Sequence, residues 1–312
     1  MGITSRIHKG IELFTFQYSR RRRAVGNARG KALFRSLRFE TLEYRRVLAP
    51  VTVTTLTDEN NGIMVGGVSL REAVAVAGTP GFDPAINFAS NLNPGRITLT
   101  LGEIQFSKNL TIDGTGRNIT IDANGDSNNE LRIFNITDTT SGSAPPLVTL
   151  KGLNLTGGYI DVGGAIRSAG LLAIIDCTIE GNEALSGGAI FVNVLGGNTS
   201  TAREVLRIEG STIAGNFAFE GAGVHVVAGS SSNAVADTIW IGADTTIENN
   251  DTYDQTGAGG GLFLQAFGAD TTIDDSTFRL NSGTSGGGGI HAQLFAYQWR
   301  HLPQQHGYRA DQ

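Results

Sequence analysis

From Ile97 onward the chain alternates apolar and polar positions in short runs separated by Gly, Asn and Asp. Residues 97–101, 110–114, 119–122 and 131–136 each repeat with period two, the pattern of a strand with one buried face. The upstream run 51–57 (VTVTTLT) alternates in the same way. Between them the pattern changes. Ser69-Leu70-Arg71-Glu72 opens an Ala/Val-rich stretch that Gly78 and Pro80 close. Ser followed three residues later by Glu is a capping box, each side chain satisfying an orphan backbone donor, and it predicts a short helix over 69–77. In a strand-rich chain that helix is placed to cover an open sheet end, because exposed edges invite aggregation.

After Val148 the alternation becomes a repeat. LNLTGGYIDVGGAI (153–166) aligns without a gap on CTIEGNEALSGGAI (177–190), and the opening returns as STIAGN, TTIENN and STFRLN. A single Asn recurs at 182, 216, 250 and 281, spaced 34, 34 and 31 residues apart. Self-similarity of this period marks a solenoid. No unit buries its apolar face alone, but stacked at about 4.8 Å, equivalent residues form ladders. Ile166, Ile190, Val224, Leu262 and Ile290 make one inward ladder; Leu155, Ile179, Ile213, Ile247 and Phe278 make another. Each buried member is worth about 1.5–3 kcal/mol, so the stack is the stable object. The double glycines mark a corner where positive φ or close backbone approach excludes a Cβ. The longer spacings place loops at 195–204 and 251–256. The expected fold is all-β: a parallel β-helix over 97–292 behind a cap region at 51–96.

Composition agrees. Of 312 residues 43 are Gly, with no period of three, so the glycines serve turns. The net charge of −5 hides a split: residues 1–50 carry 12 Lys and Arg against 3 Asp and Glu, or +9, leaving −14 for the remainder. The arginine run 20–23 and the absence of an unbroken apolar stretch make 1–50 a basic targeting or anchor-type segment, expected to be disordered and not favoured as a nucleic-acid binder. No run of about 18 apolar residues predicts a transmembrane helix. Cys177 is the only cysteine, which excludes an internal disulfide and a cysteine-based metal site.

These motifs resemble the β-helix repeats of bacterial polymorphic outer membrane proteins and related surface proteins. The resemblance rests on 110–114, 132–136, 148–158 and GGAI at 163–166, in that order, with Val68-Ser-Leu-Arg-Glu-Ala73 similar to the CSLREA opening, Val68 standing for its Cys. Residues 42–48 (LEYRRVL) resemble the LEPR-x-L-L segment, with Tyr44 and Val47 departing from it. It covers roughly 51–292 and implies a right-handed, pectin-lyase-like β-helix with a short N-terminal capping helix, exported to the bacterial cell surface, outer membrane or exterior. After Ala292 the pattern stops, and 293–312 reads as a cap or, by preference, as a truncated or frame-shifted stretch.

If Ile190 points inward, Phe191 points outward. Its equivalents down the stack are Arg167, His225, Phe263 and His291, an outer-face ladder fit to stack on sugar rings or to meet an envelope component. The histidines lack partners at metal-ligand spacing, so zinc is not expected. Asp122, Asp126 and Glu130 sit in an oxygen-rich segment with a calcium-loop flavour, but an Asn/Asp/Gly turn serves without metal, and no cofactor is favoured. Asp274-Asp275 is the one adjacent Asp pair and reads as a solvated turn. The expected function is an adhesin-like or envelope structural binding module without catalytic residues. The alternative is a polysaccharide lyase or glycoside hydrolase, which needs carboxylates gathered on neighbouring coils.

Overall fold

The computed structural model describes residues 49–63, 65–139, 144–195, 202–229, 236–253 and 257–294. These belong to a compact unit spanning Val47–Gln312. The basic head up to residue 48, with its arginine run and the 42–48 motif, lies outside the described residues. So do 196–201 and 254–256, where the repeat spacing places loops, and the tail from 295.

The strands stack into four sheets whose pairs are all parallel. The first holds eight strands, from Val51–Val53 and Ala85–Phe88 to Asp270–Ile273. The second runs in seven strands from Gly95–Thr98 to Ser276–Arg279, and the third in seven from Ile104–Phe106 to Ile290–Leu294. A fourth, of four strands, runs from Tyr159–Val162 to Asp251–Thr252. Each turn of chain visits the first, second and third sheets and then returns to the first, one strand further along. From Tyr159 to Thr252 each turn inserts a strand of the fourth sheet before the third. This is a parallel β-helix. Its first sheet already begins at Val51, so the cap region supplies the two leading strands.

Register follows the two apolar ladders. In the third sheet Ile104, Phe134, Ile166, Ile190, Val224, Leu262 and Ile290 pair in succession. In the second, Ile97, Ile121, Leu155, Ile179, Ile213, Ile247 and Phe278 do the same. All are buried except Phe278 and Ile290 in the last described coil, which are half-buried. The segment 131–136 departs from simple alternation: only Phe134–Ile136 is strand, and Arg132 is buried although polar. The chain turns a corner there, and Arg132 is held by an ion pair to Glu103 and by donation to the Val162 carbonyl.

The corners explain the repeated residues. At the corner that ends each second-sheet strand, the Asn Oδ1 of one coil accepts the backbone N–H and the side-chain amide of the preceding Asn: Asn182 to Asn216, Asn216 to Asn250, Asn250 to Asn281. The ladder begins on the Gly158 N–H, which donates to Asn182. Between the first and second sheets, Cys177, Ser211, Thr245 and Ser276 each donate to a carbonyl of their own coil and one of the coil before. The lone thiol thus fills a hydroxyl slot, and burial pushes it up to about 11. At the GGAI corner Gly187 has φ 66°, while a Cβ on Gly188 would lie 2.4 Å from the Ala222 carbonyl oxygen of the next coil. That approach leaves room for hydrogen only.

The predicted helix forms at Leu70–Val76, with both halves of the Ser69/Glu72 capping box in place. It packs on Val51–Val53 and Ile104–Phe106, and Leu70, Ala73 and Val74 join the core at the first coil. Glu72 also anchors the preceding loop. Its carboxylate accepts the N–H groups of Asn61, Gly62 and Ser69.

Candidate functional site

The outer-face ladder exists in register. Gln105, Asn135, Arg167, Phe191, His225, Phe263 and His291 occupy successive strands of the third sheet, pointing away from the core. Its exposure is uneven. Arg167 is exposed and donates to Asn135, and Phe191 and His291 are half-buried. His225 is 3% exposed and Phe263 fully buried, so the middle of the ladder is an aromatic stack closed to solvent. Phe191 meets His225 edge-on at 5.0 Å, His225 meets Phe263 edge-on at 4.7 Å, and Phe263 stacks flat on His291 at 5.1 Å. The corner glycines admit this packing, since a Cβ on Gly221 would stand 2.8 Å from that of His225. Neither ring nitrogen of His225 completes a hydrogen bond. Burial pushes its imidazole down to about 4, countered only in part by the nearby Gln265 amide, so the ring is neutral at pH 7.

The acidic turn is occupied by its own backbone. Asp122 accepts the Asn124 N–H and pairs with Arg96, and Asp126 accepts the Asn128 and Asn129 N–H groups. Glu130 is exposed beside them. Among the described residues no three His, Cys, Asp or Glu side chains stand where they could hold a metal ion. Asp275 adopts φ 43° at a corner, the conformation its short polar side chain tolerates, and the pair with Asp274 is a turn.

The structure brings together a second outer surface that the sequence pattern does not single out. On the four-stranded sheet, Tyr159, Glu183, Phe217 and Asp251 form one row across successive coils. Two residues further along each strand, the alternation places Asp161, Leu185, Phe219 and Tyr253 in a second row. The residues between, Ala184, Ala218 and Thr252, are buried. Leu185 is 55% exposed, Phe217 41% and Phe219 40%. Tyr253 packs against both phenylalanines, with ring centroids 6.2 Å and 5.3 Å apart. Burial raises the Tyr253 phenol, and its bond to Glu183 raises it further.

Compared with known protein families, curated proteins and solved structures, this chain finds no match. The alternation of Phe217 and Phe219 about Ala218 is the available sequence signal for the second surface. It is faint because this strand has only two residues and sits in the part of the repeat that varies most. Elsewhere, Trp240 lies across Gly242 on the outside of the first sheet, with the Arg207 guanidinium 4.3 Å from its ring. Arg207 is also engaged by Glu204 and Glu209.

Proposed function

We propose that this protein is a cell-surface or secreted β-helix module that binds carbohydrate or envelope components without cleaving them, an adhesin-like role. The observation that carries this reading is the aromatic strip of exposed Phe217 and Phe219 with half-buried Tyr253 on strands held rigid by two apolar ladders and an asparagine ladder. Exposed aromatic rings on a fixed scaffold lose little entropy on binding, so their contact area converts efficiently into affinity. The likeness of the repeats to polymorphic outer membrane proteins supports the surface location, and among the described residues no helix is long and apolar enough to cross a membrane. The sequence candidates Phe191 and Phe263 serve this reading as packing on the third sheet's outer side rather than as contact residues.

A hydrolytic reading has one observation in its favour. Glu183 and Asp251 flank Phe217 on the same row, two strands apart, about 10 Å at the backbone. Opposed carboxylates at comparable separations serve inverting glycosidases. The test of both is a glycan-array screen of the full chain run beside a depolymerisation assay on the same preparation. Binding without cleavage is expected. Release of reducing ends, abolished in Glu183→Gln, would replace the binding role with a catalytic one.

A further inference from the structure

We infer that the outer face of the four-stranded sheet is a binding strip for uncharged polysaccharide, as opposed to acidic glycans or a folded protein. The inference rests on the carbohydrate-binding role proposed above and specifies the site and its ligand chemistry. Three features carry it.

The first is the alternation of chemistries. Along one row Tyr159 and Phe217 alternate with Glu183 and Asp251; along the other, Leu185 and Phe219 lie between Asp161 and Tyr253. A pyranose offers an apolar C–H face and a rim of hydroxyl groups. The rings take the face, and a carboxylate accepts from neighbouring hydroxyls through charge-assisted bonds.

The second is the sign of the charge. Asp161, Glu183 and Asp251 all lie on the strip; the cation beside them, Arg132, is 7% exposed, held by Glu103 and the Val162 carbonyl, and pairs with Asp161 at 3.5 Å. A uronate or sulfated chain laid here would bring its anions against the Glu183 and Asp251 carboxylates, with no uncommitted cation on the strip among the described residues to meet them. Like charges so juxtaposed work against binding.

The third is size. Four strands spaced about 4.8 Å apart make a strip about 15 Å long and two side chains wide. A stable protein partner needs about 800 Å² on each side, far more than this strip offers, whereas a few sugar units of an extended chain cover it.

The experiment is calorimetric titration of the full chain with neutral hexasaccharides of β-linked glucose and of N-acetylglucosamine, and with hexagalacturonate. The neutral ligands should bind and the uronate should not. Phe217→Ser with Phe219→Ser should weaken neutral binding ~tenfold or more, equivalent to at least one lost stacking contact. Phe219→Trp should retain or improve it, which separates ring loss from misfolding. Asp251→Asn with Glu183→Gln should weaken neutral binding and reduce the discrimination against hexagalacturonate. Neutral binding unchanged by the serine variants would overturn the site, and preferential binding of hexagalacturonate would overturn the ligand class. Acidic-glycan binding insensitive to these substitutions would remove this inference and leave the broader binding role standing. Absence of binding to every glycan would remove both.

Discussion

Asn216 shows how one side chain holds two coils. Fully buried, it accepts from the backbone and side chain of Asn182, and its amide donates to the Ile179 and Ala214 carbonyls and to Asn250. Asn216→Ala orphans the Asn182 N–H and those carbonyls in a dry corner. The expected loss is about 3 kcal/mol, checked by chemical denaturation. His225 acts in the opposite sense, as a buried imidazole with no hydrogen bond. Its folded value of about 4 lies below the ordinary 6.5, so the unfolded chain takes the proton first. Stability is undiminished above pH 6.5 and falls as pH drops from 6.5 towards 4, by up to about 3 kcal/mol. His225→Leu should flatten that part of the pH–stability curve relative to the parent; parallel curves would show that the ring protonates freely in the fold. At this scale the sequence exposes the asparagines because identical residues recur at coil spacing. It does not expose the closed state of His225 and Phe263, since period two tells which side of a sheet a residue occupies and nothing about what lies over that side.

The helix at Leu70–Val76 is legible in the sequence because a capping box is local chemistry, written within four residues. Not legible is that Glu72 reaches beyond its own helix to the Asn61 and Gly62 amides, joining loop, helix and first coil. Burial alone would raise the Glu72 carboxyl, but these amides and Ser69 outweigh it and hold it below its ordinary 4.5. Its contribution is therefore complete above pH 4.5 and is lost as pH falls through the lower folded value. Glu72→Gln puts an amide donor where backbone donors converge, so it should cost about 2 kcal/mol at pH 7. Urea titrations at pH 7 and pH 3 check this: the gap between parent and variant should shrink at the lower pH, as the contribution of the parent carboxylate is lost. An equal gap at both pH values would mean that the capping charge does not contribute. The segment 131–136 shows the reverse case. Its alternating letters suggest a longer strand, yet a buried Arg132 ion pair and a corner override the pattern, a tertiary effect that periodicity does not carry.

For the molecule as a whole, stability is a sum over coils and the contacts between them, so it need not be uniform. The first coil is closed by the helix, and the central coils bury their ladder residues completely on both sides, as at Ile166, Ile190, Leu155 and Ile179. In the last described coil the equivalents Ile290 and Phe278, with Ile273, are only partly buried; Leu280 is 74% exposed and held at φ 53°, a conformation costly for a residue with a branched side chain. Fewer buried contacts and backbone strain in one coil favour opening there before the centre. Amide exchange should accordingly be fastest along Asp270–Ile273, Ser276–Arg279 and Ile290–Leu294, and slowest in Leu171–Ile175 and Thr178–Glu180. Leu280→Gly removes the strain and should slow exchange in the 270–294 coil while leaving the centre unchanged. If all coils exchange at one common rate, the stack opens as a single cooperative block and the coil-by-coil account of its stability fails.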